Sequence, residues 1–523
     1  MDSSPKDQST SSSASGEIFT GEHSAYQDAL AAVTEDVKPG MESTSQTVPI
    51  PEGAVPAGPG SDTYIPPPPF AEDNRKKFIV VVVIVLFILL FLFAFISMIR
   101  RLGSRTPPKQ NVTLTYWGLW EPTTVMQPII DEYQRTHPEV TVNYLQSDPK
   151  QYRERLQAAI DRGEGPDIFR FHNTWVPMLA NQLSAVPESV FTDETFTNTF
   201  YPVAKEDLKV GNTLAGIPLE IDGIMLFYNE DILKGANVDV PKTWIDMQEA
   251  VGKLTVLEGT RVVTSAIALG TAENIEHFSD ILSLMILQNG TNIKTSLFSC
   301  TDASSTTCAV EALSFYRKFA ETGQKTWDDT LENSILAFTG GKVAMIVAPS
   351  WQAHVIKSIA PTLNFKTAPV PQLPCDREPC PLVHMASYWV EGVSSKSSSK
   401  TAAWEFLKFL SQKETMEKIY TEQVKVFPLF GEPPARVDMA QSLADNIYLA
   451  PLLQAAPSMK SFYAISRTND GETGLNTTLI NYLKDAVNSL REGTSPETAL
   501  KTAGNGFVQV FARFGLTYTN PAE

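Results

Sequence analysis

The sequence predicts an α/β protein of two lobes, preceded by a disordered tail and one membrane-spanning helix. Three observations predict it. Strand-like and helix-like patterns alternate beyond residue 111, and an uninterrupted apolar run occupies residues 78–99. Residues 111–523 are also numerous enough to build two separate hydrophobic cores.

The chain has 523 residues, with 42 Lys and Arg against 59 Asp and Glu, a net charge of −17. That balance excludes a nucleic-acid partner, whose phosphates need clustered cations. The charge is unevenly spread. Residues 1–77 hold five basic and twelve acidic residues, a Ser-rich start, and nine prolines between Pro39 and Pro69. Such a segment buries too little apolar surface to offset its ordering entropy and is expected to be disordered. Within it, Tyr26, Leu30, Val33 and Val37 recur at helical spacing, which suits either a short partner-binding helix or chance.

Residues 78–99, FIVVVVIVLFILLFLFAFISMI, contain no charge, Gly or Pro. As a helix these residues span roughly 33 Å, close to the thickness of a bilayer's hydrocarbon core. The run begins too far from the N-terminus, and ends too abruptly at Arg100 and Arg101, for a cleaved signal peptide. It is expected to be an uncleaved anchor. Flanking charge does not orient it: Arg75, Lys76 and Lys77 precede it, while Arg100, Arg101, Arg105 and Lys109 follow. All four cysteines lie beyond it, in two short-range pairs, Cys300 with Cys308 and Cys375 with Cys380. Neither spacing suits zinc or redox chemistry. Two local disulfides would place the C-terminal domain outside the cytoplasm, with the tail inside, while reduced thiols remain the alternative.

After a basic linker at 100–110, VTLTYWGLW reads as a strand and MQPIIDEYQRTHP as a helix stopped before Pro138. VTVNYLQ is a second strand, QYRERLQAAIDRG a helix ending at Gly163, and DIFRF a third strand. This order is the pattern of a parallel sheet with helices on its faces. Further strands are GIMLFYN and KVAMIVAP. Further helices are CAVEALSFYRKFAETG, TAAWEFLKFLSQKETMEKIY and LNTTLINYLKDAVNSLREG.

Five segments in this order carry a family resemblance: TLTYWGLWEP, GEGPDIFRFHNTW, GIPLEIDGIMLFYNEDIL with VPKTWIDMQEAVGKL, AFTGGKVAMIVAPSWQAHVI, and KSSSKTAAWEFLKFLSQKETM. Across nearly all of 111–523 the chain resembles the extracellular solute-binding proteins of ABC importers, specifically the maltodextrin-type sugar-binding class. The resemblance implies a periplasmic-binding-protein type II fold, with two α/β lobes on a hinge and a solute in the cleft. Lobe one would comprise about 111–221 and 366–412, and lobe two about 224–362 and 440–515. It also implies ABC permease subunits as partners and no cofactor, whereas the membrane attachment through 78–99 is a departure from the family's usual cleaved signal or lipid-modified cysteine and rests on the apolar run alone.

A sugar offers flat C–H faces to aromatic rings and hydroxyls to carboxylates and amides, and open α/β sheets place ligands at strand ends. Lobe one supplies Trp120 and Glu121 after the first strand, and His172, Asn173 and Trp175 after DIFRF. Trp117 suits core and cleft equally, and His172 suits a structural role as well as a ligand contact. By resemblance, Asp222 takes the slot of an acidic ligand contact, whereas its neighbour Glu220 could instead hold the hinge. Lobe two supplies Glu276, His277, and Trp351. Tyr388 and Trp389 follow in the return segment, with Phe462 and Tyr463 near the C-terminus. Trp244 and Trp404 lie on helices and belong to the core. The family carries an acidic–basic pair where Thr174 and Trp175 stand, which separates this chain from a maltose binder without removing a sugar.

No H-E-x-x-H, G-x-S-x-G or Walker A motif is present, and the six histidines lack metal-ligand spacing. The reading is therefore a receptor and not an enzyme. Two alternatives stay open: a sensor signalling through its tail, and a binder of a peptide, polyamine or glycerol-phosphate.

Overall fold

The computed structural model describes residues 74–103 and 111–520, apart from 303–304, 377–378 and 428–429. The expected tail before residue 74, including Tyr26 to Val37, and most of the basic linker lie outside the described residues. The chain divides into two units that part between residues 101 and 102.

Among the described residues, the first unit consists of one helix, Asn74–Gly103, whose last two residues fall past the division. Its span Ile79–Met98 is long and apolar enough to cross a membrane, and its large side chains are exposed, from 42% at Val82 to 75% at Phe93. The helix outruns the apolar run at both ends. Lys and Arg are good helix formers, and no glycine interrupts the segment before Gly103.

The second unit is built on two five-stranded sheets. The first contains β1 (Val112–Gly118), β2 (Val140–Gln146), β3 (Ile168–His172), β4 (Ile217–Pro218) and, from far along the chain, β10 (Trp389–Val393), in the order β2-β1-β3-β10-β4. The second contains β5 (Ile224–Asn229), β6 (Val256–Glu258), β7 (Arg261–Ile267), β8 (Val343–Pro349) and β9 (Phe365–Ala368), in the order β9-β5-β8-β7-β6.

β1 pairs in parallel with β2 and β3, as the strand–helix–strand pattern predicts. The sheets as wholes are mixed, however, because β10 runs antiparallel to β3 and β4, and β5 antiparallel to β8 and β9. The departure has a topological cause: strands that enter from the other sheet arrive in the opposite direction. Strand β9 also belongs to the second sheet, so the return to the first begins beyond Ala368, later than the expected boundary near 366.

The elements are shaped locally in understandable ways. β3 and β8 are buried along their whole length, consistent with sheets covered on both faces. The helix expected over 401–420 is two helices, Lys400–Leu410 and Lys413–Val426. The Ser411 hydroxyl donates to the Lys408 carbonyl at 2.9 Å, competing with the helix ladder, and Gln412 is extended. Trp244 and Trp404 are buried, as expected of core residues.

Among the described residues, three chain segments pass between the sheets. The first, residues 219–223, joins β4 to β5, and the second, 369–388, joins β9 to β10. They meet where Gly223 bridges Ala386 and Ser387 N donates to Asp222 O at 2.8 Å. Only glycine fits here, since a Cβ on residue 223 would lie 2.0 Å from the Met385 carbonyl oxygen. The third, residues 430–436 after the helix Lys413–Val426, runs beside the first, with Ile221 N donating to Pro433 O at 2.8 Å and Glu220 bridging Pro434.

Candidate functional site

The carboxyl ends of the parallel strands carry the aromatic candidates. β1 ends before Trp120, and β3 ends at His172. His172 is the cross-strand partner of Trp389 in β10. Trp389 sits at the centre of a ring group: its centroid lies 5.3 Å from Trp120, 5.4 Å from Trp175 and 5.1 Å from His172, each in edge-to-face geometry. Such geometry suits the quadrupoles of the rings. Trp120 and Trp389 are half-buried, whereas Trp175 is fully buried behind them. The indole N–H groups of Trp120 and Trp175 have no hydrogen-bond partner among the described residues.

Burial pushes the His172 ring down to about 3, so it is neutral. Nδ1 accepts from the Thr174 backbone N–H at 3.3 Å, which leaves Nε2 to donate to Ser387 Oγ at 3.1 Å. Ser387 N in turn holds Asp222 O, and Asp222 Oδ1 accepts from Gly223 N at 2.7 Å and Ser350 N at 3.2 Å. Ser350 directly follows β8. A hydrogen-bonded path therefore runs from the carboxyl end of β3 in one sheet, through two crossing segments, to the carboxyl end of β8 in the other. Burial raises the Asp222 carboxyl to about 7.

On the second sheet's side, Trp351 stands after Ser350 with its ring 6.0 Å from that of His277. His277 Nδ1 lies 2.7 Å from Ser466 Oγ, and burial holds its pKa below the usual value. Glu276 pairs with Arg467 at 2.9 Å and accepts from Gln352 at 3.3 Å.

Glu121 belongs to a different arrangement. Its carboxylate, with those of Glu391 and Glu432, surrounds the guanidinium of Arg170 in β3. Nε donates to Glu391 at 2.7 Å, and Nη1 donates to Glu121 and, at 3.1 Å, to Glu432. The Arg170 side chain is 3% exposed. Glu220 joins this group electrostatically and accepts the Trp389 backbone N–H at 2.7 Å. Burial, opposed by Arg170, raises Glu121 and Glu220 to about 8 and Glu432 to about 7. Burial likewise raises Glu391. Here one guanidinium faces four carboxyls, and burial favours the protonated form of each.

Asn173 and Tyr388 meet at Asp207, donating at 2.9 and 3.1 Å, and Lys294 and Ser461 complete its donors. All of these but Tyr388 line a cavity of about 380 Å³, together with Tyr463 and Phe514, among others. Phe462 does not reach it. Its ring is fully buried against Phe507 and Phe511, which makes it part of the C-terminal core.

Of the expected residues, then, the structure gathers Trp120, His172, Trp175 and Trp389 in one group, and Asp222 joins that group to the strand preceding Trp351. Sequence reasoning missed Arg170, Glu391, Glu432, Asp207 and Lys294. Arg170 and Glu391 carried a signal, each a lone charge inside an apolar strand, IFRFH and WVEGV. Of the four cysteines, Cys300 and Cys308 form a disulfide, and Cys380 Sγ lies 3.9 Å from the Cys375 carbonyl oxygen. Among the described residues no group of three or more His, Cys, Asp or Glu side chains could hold a metal ion.

Comparison with known proteins agrees with this architecture. The profile of a family described as bacterial extracellular solute-binding protein matches residues 128–455. A binding protein of Brucella abortus (strain 2308) is 22% identical over 331 residues, covering 62% of this chain and 77% of that one. A solved cyclo/maltodextrin-binding protein complexed with maltotetraose superposes with a TM-score of 0.59 at 17% identity, over 78% of this chain and 98% of that one. The sugar-binding protein MalE of Xanthomonas citri superposes with a TM-score of 0.60 at 20% identity, over 77% and 98%.

Proposed function

Because the chain belongs to the bacterial extracellular solute-binding proteins, we propose that it captures a carbohydrate between its two sheets and hands it to an ABC permease. In this reading the helix Asn74–Gly103 anchors it in the membrane with residues 111–523 outside the cytoplasm. The observation that carries the sugar assignment is the ring group centred on Trp389, which offers Trp120 and Trp389 as half-buried aromatic surface at the strand ends. Flat rings at that position suit the C–H faces of a pyranose, and structures of the same fold include one holding maltotetraose.

The capture step follows from the connections. Solute rests first on Trp120 and Trp389, and bending of the crossing segments brings Trp351 and the Glu276–His277 pair against its other face. The Asp222 carboxyl, held between both sheets, offers acceptor capacity to a hydroxyl as the cleft closes. Moving such a two-state hinge from mostly open to mostly closed needs about 5.5 kcal/mol of differential affinity. Two or three stacked rings with a few hydrogen bonds supply energy of that order. The family is one of solute-binding proteins, and the site accordingly needs no nucleophile or metal. The fluorescence of the full chain, titrated with maltotetraose and shorter sugars, tests the reading. A saturable change abolished by Trp389→Ala and Trp351→Ala is expected, and flat traces across mono- and oligosaccharides would refute the sugar assignment.

A further inference from the structure

We propose that Arg170 is a positioning residue for the aromatic wall: it fixes Trp389 and Trp120 by anchoring the carboxylates beside each of them, without itself meeting the solute. Its consequence for affinity rests on the wall being the solute's seat, while its consequence for ring geometry does not.

Register supplies the first argument. Arg170 is the cross-strand partner of Glu391, and His172 is the partner of Trp389. Residues two apart share a face of a strand, so the two pairs lie side by side on one face of the sheet. The 2.7 Å bond from Arg170 Nε to Glu391 therefore pins β10 one pair away from the ring contact between His172 and Trp389.

Chain connectivity supplies the second. Arg170 Nη1 also holds Glu121, the residue after Trp120, and Trp120 is the other half-buried ring of the pair. Glu220, whose carboxyl feels the Arg170 charge, clamps the Trp389 backbone N–H at 2.7 Å. Nη1 and Nη2 reach Glu432 on the third passage, at 3.1 and 3.3 Å. A planar guanidinium with five donors serves three carboxylates from three separate segments at once. A lysine ammonium, with three donors on one nitrogen, reproduces neither the fork nor its directions.

The rings themselves report the outcome. Indoles whose centroids lie 5.3 and 5.4 Å apart couple as excitons and give a far-ultraviolet circular-dichroism couplet sensitive to their separation and angle. The full chain in detergent would be compared with Arg170→Lys and with Arg170→Met/Glu391→Leu. The double variant removes one buried ion pair but leaves Glu121, Glu220 and Glu432 without their cation, so it is expected to be less stable than the wild type. Where folded, it is expected to lose most of the couplet and to bind maltotetraose about tenfold more weakly. Arg170→Lys should fall between, and it carries the same comparison if the double variant does not fold. Folded variants with couplet and affinity both unchanged would overturn the proposal. Loss of the couplet in variants of a chain that binds no sugar would uphold the positioning role and reject the sugar reading instead.

Discussion

Lys294 Nζ lies 3.1 Å from Asp207 Oδ1, an ion pair joining the helix Pro202–Leu208, which precedes the first passage between sheets, to the loop beyond the helix Phe278–Gln288. The two partners are unequally placed. The Asp207 side chain is 4% exposed and receives four donors, whereas Lys294 is 36% exposed. Asp207→Ala strands four donors and is expected to cost about 3 kcal/mol. Lys294→Met removes one partner that can otherwise turn to water and should cost about 1 kcal/mol or less. Urea denaturation of both variants checks the order, and equal losses would contradict it.

Stability should fall as pH rises through neutrality. Glu121 and Glu220 are raised to about 8, and Asp222 and Glu432 to about 7, by burial against their other surroundings. The folded chain thus binds protons that the unfolded chain releases above about pH 4 to 5. Their contribution is complete below that range and is lost as pH climbs to about 8. Each retained proton changes stability by about 1.4 kcal/mol per pH unit within its window. Melting temperatures from pH 5 to 9 should therefore decline, and Glu121→Gln, which stays neutral, should flatten the slope. A slope steeper in the variant would be the contrary result.

The Cys300–Cys308 bridge closes a short loop, with a sequence separation of 8. Loop entropy in the unfolded chain predicts about 2–3 kcal/mol of stabilisation. The pair Cys300→Ser/Cys308→Ser should lower the melting temperature by that equivalent while leaving solute affinity unchanged, since neither cysteine touches the ring group.

Gly223→Ala places a methyl group 2.0 Å from the Met385 carbonyl oxygen, so the bridge to Ala386 must open. A loss of about 1–3 kcal/mol is expected, as for other overpacked sites. Because Asp222 is the adjacent residue, solute affinity should fall with it, which a titration of the folded variant would show.

How much of this was legible depended on the range of the interactions. β1, β2 and β3 and the helices between them follow from local periodicity, and the apolar helix from length alone. The wall around Trp389 was partly visible, because rings following strands stand out. The pairing of Arg170 was not, since its partners Glu121, Glu391 and Glu432 lie 49, 221 and 262 residues away and no local pattern connects them. Asp207 and Lys294 were hidden for the same reason. Trp175 and Phe462 show the opposite failing: position at a strand end or near the C-terminus suggests a cleft, but only packing decides which rings are covered. Trp175 lies behind Trp389, and Phe462 beneath the helix Pro496–Arg513.

The hinge is a ribbon three strands wide. Residues 219–223 lie in the middle, with Pro433 to Ala435 bonded along one edge and Ala386 to Ser387 along the other. Two strands alone could twist about each other or slide. Three bonded abreast resist torsion and shear but still flex across their width, as a leaf spring does. The two sheets would then swing about one axis, along one arc, and each return stroke would bring Trp351 back to the same register with Trp389. A mutation that cut one edge of the ribbon would leave the sheets joined, while losing the reproducibility of that stroke.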